Sequence, residues 1–198
     1  MTLDDDALSI PGFDFEPPLA DEPEPEPMAA PNGEDDAQAP EFPRPINWNL
    51  LSAEEAQVEW LELNAWVNWL RHTYGLGAGV IPPLWHRHPE LIWELSALRQ
   101  HWLSAYDPKQ HGSAPIGWHR DFADARQRLH DWVAACGTRL DRDRPTRQTA
   151  WPGEDPVPTL EEFAITNRDD DFVHFVHDDV ARRRTAEDAF YSQLTVDH

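Results

Sequence analysis

Between residues 47 and 140, apolar side chains recur at alternating steps of three and four, the spacing that aligns them on one face of an α-helix. Ala56, Trp60, Leu63, Val67, Leu70 and Tyr74 make the first such face, enough for a helix of about six turns. Ser52 and Glu55 fit a capping box in front of it, and Gly75, Gly77 and Gly79 mark its end. Leu91, Leu95, Leu98, Trp102 and Ala105 make the second face, closed by Asp107-Pro108. Trp118, Phe122, Ala125, Leu129, Trp132 and Cys136 make the third, with Gly137 at the stop. No useful stretch with a period of two lies between them. The expected fold is therefore all-α: a compact three-helix bundle over residues 46–140.

Outside that block the pattern weakens. Residues 1–45 are dominated by Pro, Asp, Glu and Ala, and such a segment has too little apolar surface to offset the entropy of an ordered chain. It reads as a disordered arm, with Ile10, Phe13 and Phe15 as a short docking-motif candidate. Residues 141–158 read as a proline-rich linker. Residues 159–198 read as an acidic extension, partly helical, made of short pieces. Thr159 with Glu162 offers a cap for LEEFAI, and Asp169–Asp171 a cap for a stretch in which Phe172, Val176 and Val180 recur every four residues. Thr185 with Asp188 offers the start of a last helix through Phe190 and Leu194. Helices that short are marginal alone, so they either dock on the bundle or await a partner.

Charge changes the picture mainly through its distribution. The net charge of −21 is concentrated at the two ends. Residues 1–46 hold 13 acids against Arg44 alone, residues 47–140 hold 10 against 8 bases, and residues 141–198 hold 14 against 7. A nearly neutral globular middle sits between acidic arms. Cys136 is the single cysteine, which excludes a disulfide framework and favours a reducing compartment. MTLDDDALSI has neither a basic nor an apolar signal region, and no run approaches the ~20 apolar residues of a membrane span. The expected location is the cytoplasm, with no membrane association.

The chemistry-bearing residues gather in PPLWHRHPELIWELSALRQHW, residues 82–102. His88-Pro89-Glu90 parses as a helix start: a cap, a proline at the first position where no amide hydrogen is needed, and a carboxylate in the first turn. Trp85, His86 and Trp93 are not required by the core stripe, and with Trp69 they are the candidate partner-binding residues, since tryptophan is favoured at interface hot spots. A weaker alternative places a metal on His86, His88 and His119, although no HExxH motif and no histidine pair at i, i+4 supports it. No catalytic residue and no cofactor is indicated. Cys136, on an apolar seam, reads as an inert buried thiol. Around Arg120, Arg126 and Arg128, acids at helical spacing (Asp124 and Asp131) supply partners, so direct nucleic-acid binding is not expected.

Two blocks, VIPPLWHRHPELIWELSALRQHW and GWHRDFADARQRLHDW, resemble an actinobacterial family of unassigned function found on conjugative plasmids, integrative elements and prophages. Trp85, His88, Pro89, Glu90, Leu95, Leu98, Trp102, His119, Arg120, Asp121, Ala123 and Asp124 carry the resemblance, which spans about residues 60–135. It implies a genetic context, a mobile element, and no activity. The resulting expectation is a non-enzymatic accessory protein binding a protein partner, with DNA-transfer or replication machinery the natural place to look. The alternatives are an acidic DNA-mimicking decoy and a metal-dependent enzyme built on the histidines. Oligomeric state is left open by seams that serve a monomer or a coiled dimer equally.

Overall fold

The computed structural model describes residues 43–146, 148–157 and 161–196. The acidic arm up to residue 42, its Ile10/Phe13/Phe15 motif and the proposed Thr159 cap lie outside the described residues. The described chain is mostly α-helical, with α1 (Ala53–Tyr74), α2 (Pro89–Ala105), α3 (Ala114–Cys136) and α4 (Arg168–Val196). One 3-10 turn, Trp85–Arg87, precedes α2, and a two-stranded antiparallel ladder joins β1 (Arg142–Asp143) to β2 (Phe163–Ala164). No helix among the described residues is long and apolar enough to cross a membrane.

The first three helices form as their patterns predict. The Ser52 amide donates to Glu55 Oε2 at 2.8 Å while the Glu55 amide donates to Ser52 Oγ at 3.2 Å, a complete capping box. Gly75 ends α1 with φ 60, and Gly137 ends α3 with φ 77, the left-handed conformation that glycine adopts without steric cost. Ala56, Trp60, Leu63, Val67 and Leu70 are all buried, as are Leu91, Leu95 and Leu98 of α2. On α3 the stripe runs Trp118, Phe122, Ala125, Leu129 and then Val133. Trp132, expected on the seam, is instead 46% exposed, because the step after Leu129 is four residues and not three.

The C-terminal region departs further from expectation. Residues 168–196 make one 29-residue helix, not two short ones. Thr185 does not cap a new helix: its hydroxyl donates to the Ala181 carbonyl four residues back, at 3.0 Å, inside a continuing helix. The side chain that accepts from the first-turn amides is Asn167, whose Oδ1 takes the N–H groups of Asp169 (3.0 Å) and Asp170 (3.3 Å). LEEFAI makes no helix among its described residues; Phe163–Ala164 pairs with Arg142–Asp143, and the Ile165 amide donates to the Asp141 carbonyl at 2.9 Å. The start of the segment expected as a linker, residues 141–146, is thereby held in place, and Asp143 and Thr146 meet His88.

α4 docks on α1 through the four-residue repeat. Phe172, Val176 and Val180 are buried in the common core, so the bundle has four helices. Asp179, also buried, accepts the Trp60 indole N–H at 3.0 Å and pairs with Arg183 at 2.8 Å and with Arg182. The Ala53 amide at the start of α1 donates to Glu187 at 2.7 Å. Beyond that contact, residues 188–194 are exposed, Phe190 and Tyr191 among them. Trp48, in a segment with no periodicity, is buried against Trp60 at 4.3 Å and donates to Ser96 Oγ at 2.7 Å.

Candidate functional site

The 3-10 turn ahead of α2 places Trp85, His86 and His88 inside and Arg87 at the surface edge. A turn with three residues per revolution, followed by the extended backbone of His88, permits this arrangement where a continuous α-helix would not. Four consecutive side chains thus reach three different neighbours.

Trp85 packs against Trp60 (6.3 Å) and Phe172 (6.4 Å). His86 lies edge-on to Phe172 and Phe175, both at 5.2 Å, and its Nε2 donates to Asp171 Oδ1 at 2.8 Å. Arg87 grips the same carboxylate with two bonds, Nε to Oδ1 at 2.8 Å and Nη2 to Oδ2 at 2.6 Å. Asp171 lies in the first turn of α4, so WHR holds that helix to α2. Burial pushes His86 down to about 4, against the opposing pull of Asp171, and the ring is neutral at pH 7. Burial would raise the Asp171 carboxyl, but Arg87 and His86 hold it below the ordinary carboxylate range. His86 Nδ1 and the Trp85 indole N–H are buried without a partner among the described residues.

His88 reaches the opposite way. Its Nε2 meets Asp143 Oδ1 at 2.9 Å, and its Nδ1 meets Thr146 Oγ1 at 3.1 Å. Thr146 passes its hydroxyl hydrogen to Glu90 Oε1 at 2.7 Å, and Thr138 donates to Asp143 at 2.7 Å. Burial opposes charge on His88, yet hydrogen bonds to Asp143 and Cys136 prevail and raise it to about 9. Asp143, despite its burial, is held below the usual carboxylate range by His88 and Thr138. Cys136 is buried on its seam, as the sequence implied, but other donor atoms lie beside it. Its sulfur, one nitrogen of His88 and one oxygen of Glu90 all lie within 4.8 Å of one another.

The three histidines expected as a metal set do not converge. His119 belongs to an aromatic face, with its Nε2 at 3.2 Å from the Tyr74 hydroxyl and 3.5 Å from the Tyr106 hydroxyl. His86 and His88, two residues apart, point at different carboxylates. Among the candidate partner contacts, Trp85 and His86 are buried, so neither is available to a partner in the folded chain. Trp69 and Trp93 are 39% and 40% exposed. Trp93 makes no ring contact among the described residues, whereas Trp69 sits 5.0 Å from Trp102, which in turn lies 5.6 Å from Tyr106. Tyr106, which sequence reasoning did not single out, is 44% exposed.

On α3, Arg128 pairs across to Glu94 of α2 at 2.7 Å instead of along its own helix, and Asp121 takes Arg120 (3.1 Å) and His101 (3.0 Å). Arg120 and Arg128 are thus paired by acids other than the expected Asp124 and Asp131, while Arg126 lies over the Phe122 ring at 6.0 Å. No family model matches the chain, and no curated protein or solved structure matches it either.

Proposed function

We propose that this chain is a non-enzymatic accessory protein of an actinobacterial mobile element, and that it binds a protein of the DNA-transfer or replication machinery through the aromatic face around Trp69. What supports the reading is one observation: Trp69, Trp102 and Tyr106 form a continuous run of rings on two helices, with Trp69 and Tyr106 substantially exposed. A core needs no exposed aromatic rings, and a rigid aromatic patch loses little side-chain entropy on binding. Tyr74 backs Trp69 at 6.2 Å, and Trp118 backs Tyr106 at 6.3 Å, so the patch is held in place before a partner arrives.

The test is affinity capture from the native host with the full chain, the Trp69→Ala variant and the Trp93→Ala variant. A specific protein recovered by the wild type and by Trp93→Ala, but lost with Trp69→Ala, is the expected result. The same proteins captured by all three, or only chaperones by the wild type, would overturn the reading.

A further inference from the structure

The buried cluster between the start of α2 and the end of α3 combines three donor types. His88 offers a ring nitrogen, Cys136 a sulfur and Glu90 a carboxylate oxygen, with the three atoms mutually within 4.8 Å. His88 and Cys136 are buried, and Glu90 is partly so. Histidine nitrogen, thiolate sulfur and carboxylate oxygen are all zinc ligands, usually in a four-coordinate arrangement. With bonds of about 2.0–2.3 Å, tetrahedral ligand atoms stand about 3.3–3.8 Å apart, so a contraction of about 1 Å closes the shell.

Two further observations set this cluster apart from an ordinary buried hydrogen-bond network. First, the ligands are held from outside. Asp143 accepts from His88 Nε2 at 2.9 Å, which leaves Nδ1 facing Glu90 Oε1 at 3.9 Å, and Thr146 holds the Glu90 carboxylate at 2.7 Å. A carboxylate on the far nitrogen is the usual companion of a metal-bound histidine, because it fixes the ring and raises its basicity. Second, the interior keeps an unpaired acceptor: Asp143 Oδ2 is buried with no partner among the described residues, although His88 bonds the other oxygen and the Arg87 charge acts on the carboxylate from further away. A buried polar atom left unpaired is costly.

We infer that His88, Glu90 and Cys136 form a three-ligand zinc site that ties the start of α2 to the end of α3, with Asp143 and Thr146 as its outer supports. The cation takes the place of the Nδ1 proton and the thiol proton, so two protons leave for each divalent ion and the charge of the cluster is unchanged. Thr146 gives up its bond to Nδ1 and keeps its bond to Glu90. A water completes the fourth position. The site is separate from the aromatic face and does not depend on the partner-binding reading.

The experiment uses the full chain without a histidine tag, stripped with a chelator and titrated with Co²⁺, then with Zn²⁺. The wild type is expected to take up about one equivalent with the visible spectrum of tetrahedral cobalt and a thiolate-to-cobalt charge-transfer band, and Zn²⁺ to displace it. Cys136→Ser should lose the charge-transfer band. Glu90→Gln should keep that band and bind at least about tenfold more weakly, a readout that stands even if the serine variant folds poorly. Helical content by circular dichroism is followed throughout. A folded wild type that takes up neither ion, a charge-transfer band that survives in Cys136→Ser, or undiminished uptake by Glu90→Gln would each overturn the proposal.

Discussion

Two regions of this molecule share an unusual abundance of aromatic and histidine side chains, and they use it in opposite ways. Under the WHRHPE stretch, Trp85, His86 and His88 are fully enclosed; His86 bonds Asp171, and His88 bonds Asp143 and Thr146. Around the half-buried Trp102, the exposed Trp69, Tyr106 and His119 make contact mainly with other aromatic side chains. The first region clamps the C-terminal segments to the helices before them. The second carries no carboxylate clamp of that kind among the described residues. Crowded chemistry in a sequence therefore does not by itself distinguish an anchor from a contact surface; the difference lies in whether distant carboxylates arrive to meet it.

The largest effects are expected from substitutions on the buried side. Phe172→Ala removes a ring that touches Trp60, Trp85 and His86, and should cost about 3–5 kcal/mol in urea unfolding. Next comes Asp171→Ala, which strands Arg87 and His86 together. Because Arg87 is about one-third exposed, the loss should be about 2–3 kcal/mol, less than for a fully buried pair. Trp69→Ala, on the exposed side, should cost only about 1 kcal/mol while abolishing partner capture. If instead it unfolds the protein as severely as Phe172→Ala, the aromatic face is core and the contrast collapses.

The two histidines on either side of Arg87 give a smaller, pH-dependent effect, read on the zinc-free chain. His86 is depressed from 6.5 to about 4, so between those values the unfolded chain binds a proton that the folded chain refuses. Its contribution to stability is present above 6.5 and falls as the pH drops toward 4. His88 is raised from 6.5 to about 9, and its contribution is complete below 6.5 and lost as the pH climbs through 9. Histidine-resolved NMR titration should show one ring changing charge near 4 and its neighbour near 9. Two rings titrating together close to 6.5 would mean that neither is buried as described. The least effect of all is expected for Trp93→Ala, singly exposed, with a stability change of about 0.5 kcal/mol.

Much of the fold was legible because it rests on local periodicity. The α1 capping box, the glycine stops and the inner stripes of α1 and α2 all follow from spacing that a chain of about twenty residues displays by itself. Even the Phe172, Val176, Val180 repeat was visible; what could not be read was that the body offers it a groove. The misreadings have specific causes. Thr185 carries the composition of a cap, but a threonine hydroxyl is equally satisfied by the carbonyl four residues back. Trp132 and Val133 are both apolar, and only the phase of the helix chooses between them. At the site, His88 meets Asp143 55 residues away and His86 meets Asp171 85 residues away. No pattern within a window of one helix signals such pairs. The helix start at His88-Pro89-Glu90 was read correctly, yet the histidine caps with its backbone alone and sends its ring elsewhere.

The central claim is that the histidine- and tryptophan-rich turn before α2 anchors α4, and is an interior joint instead of a contact surface. Amide hydrogen exchange resolved along α4 tests it most directly. Residues 172–180 should be protected to the same degree as the middle of α1, residues 188–194 should exchange rapidly, and Asp171→Ala should strip protection from 172–180 while α1 to α3 keep theirs. Uniformly rapid exchange from 172 to 194 in the wild type would contradict the account.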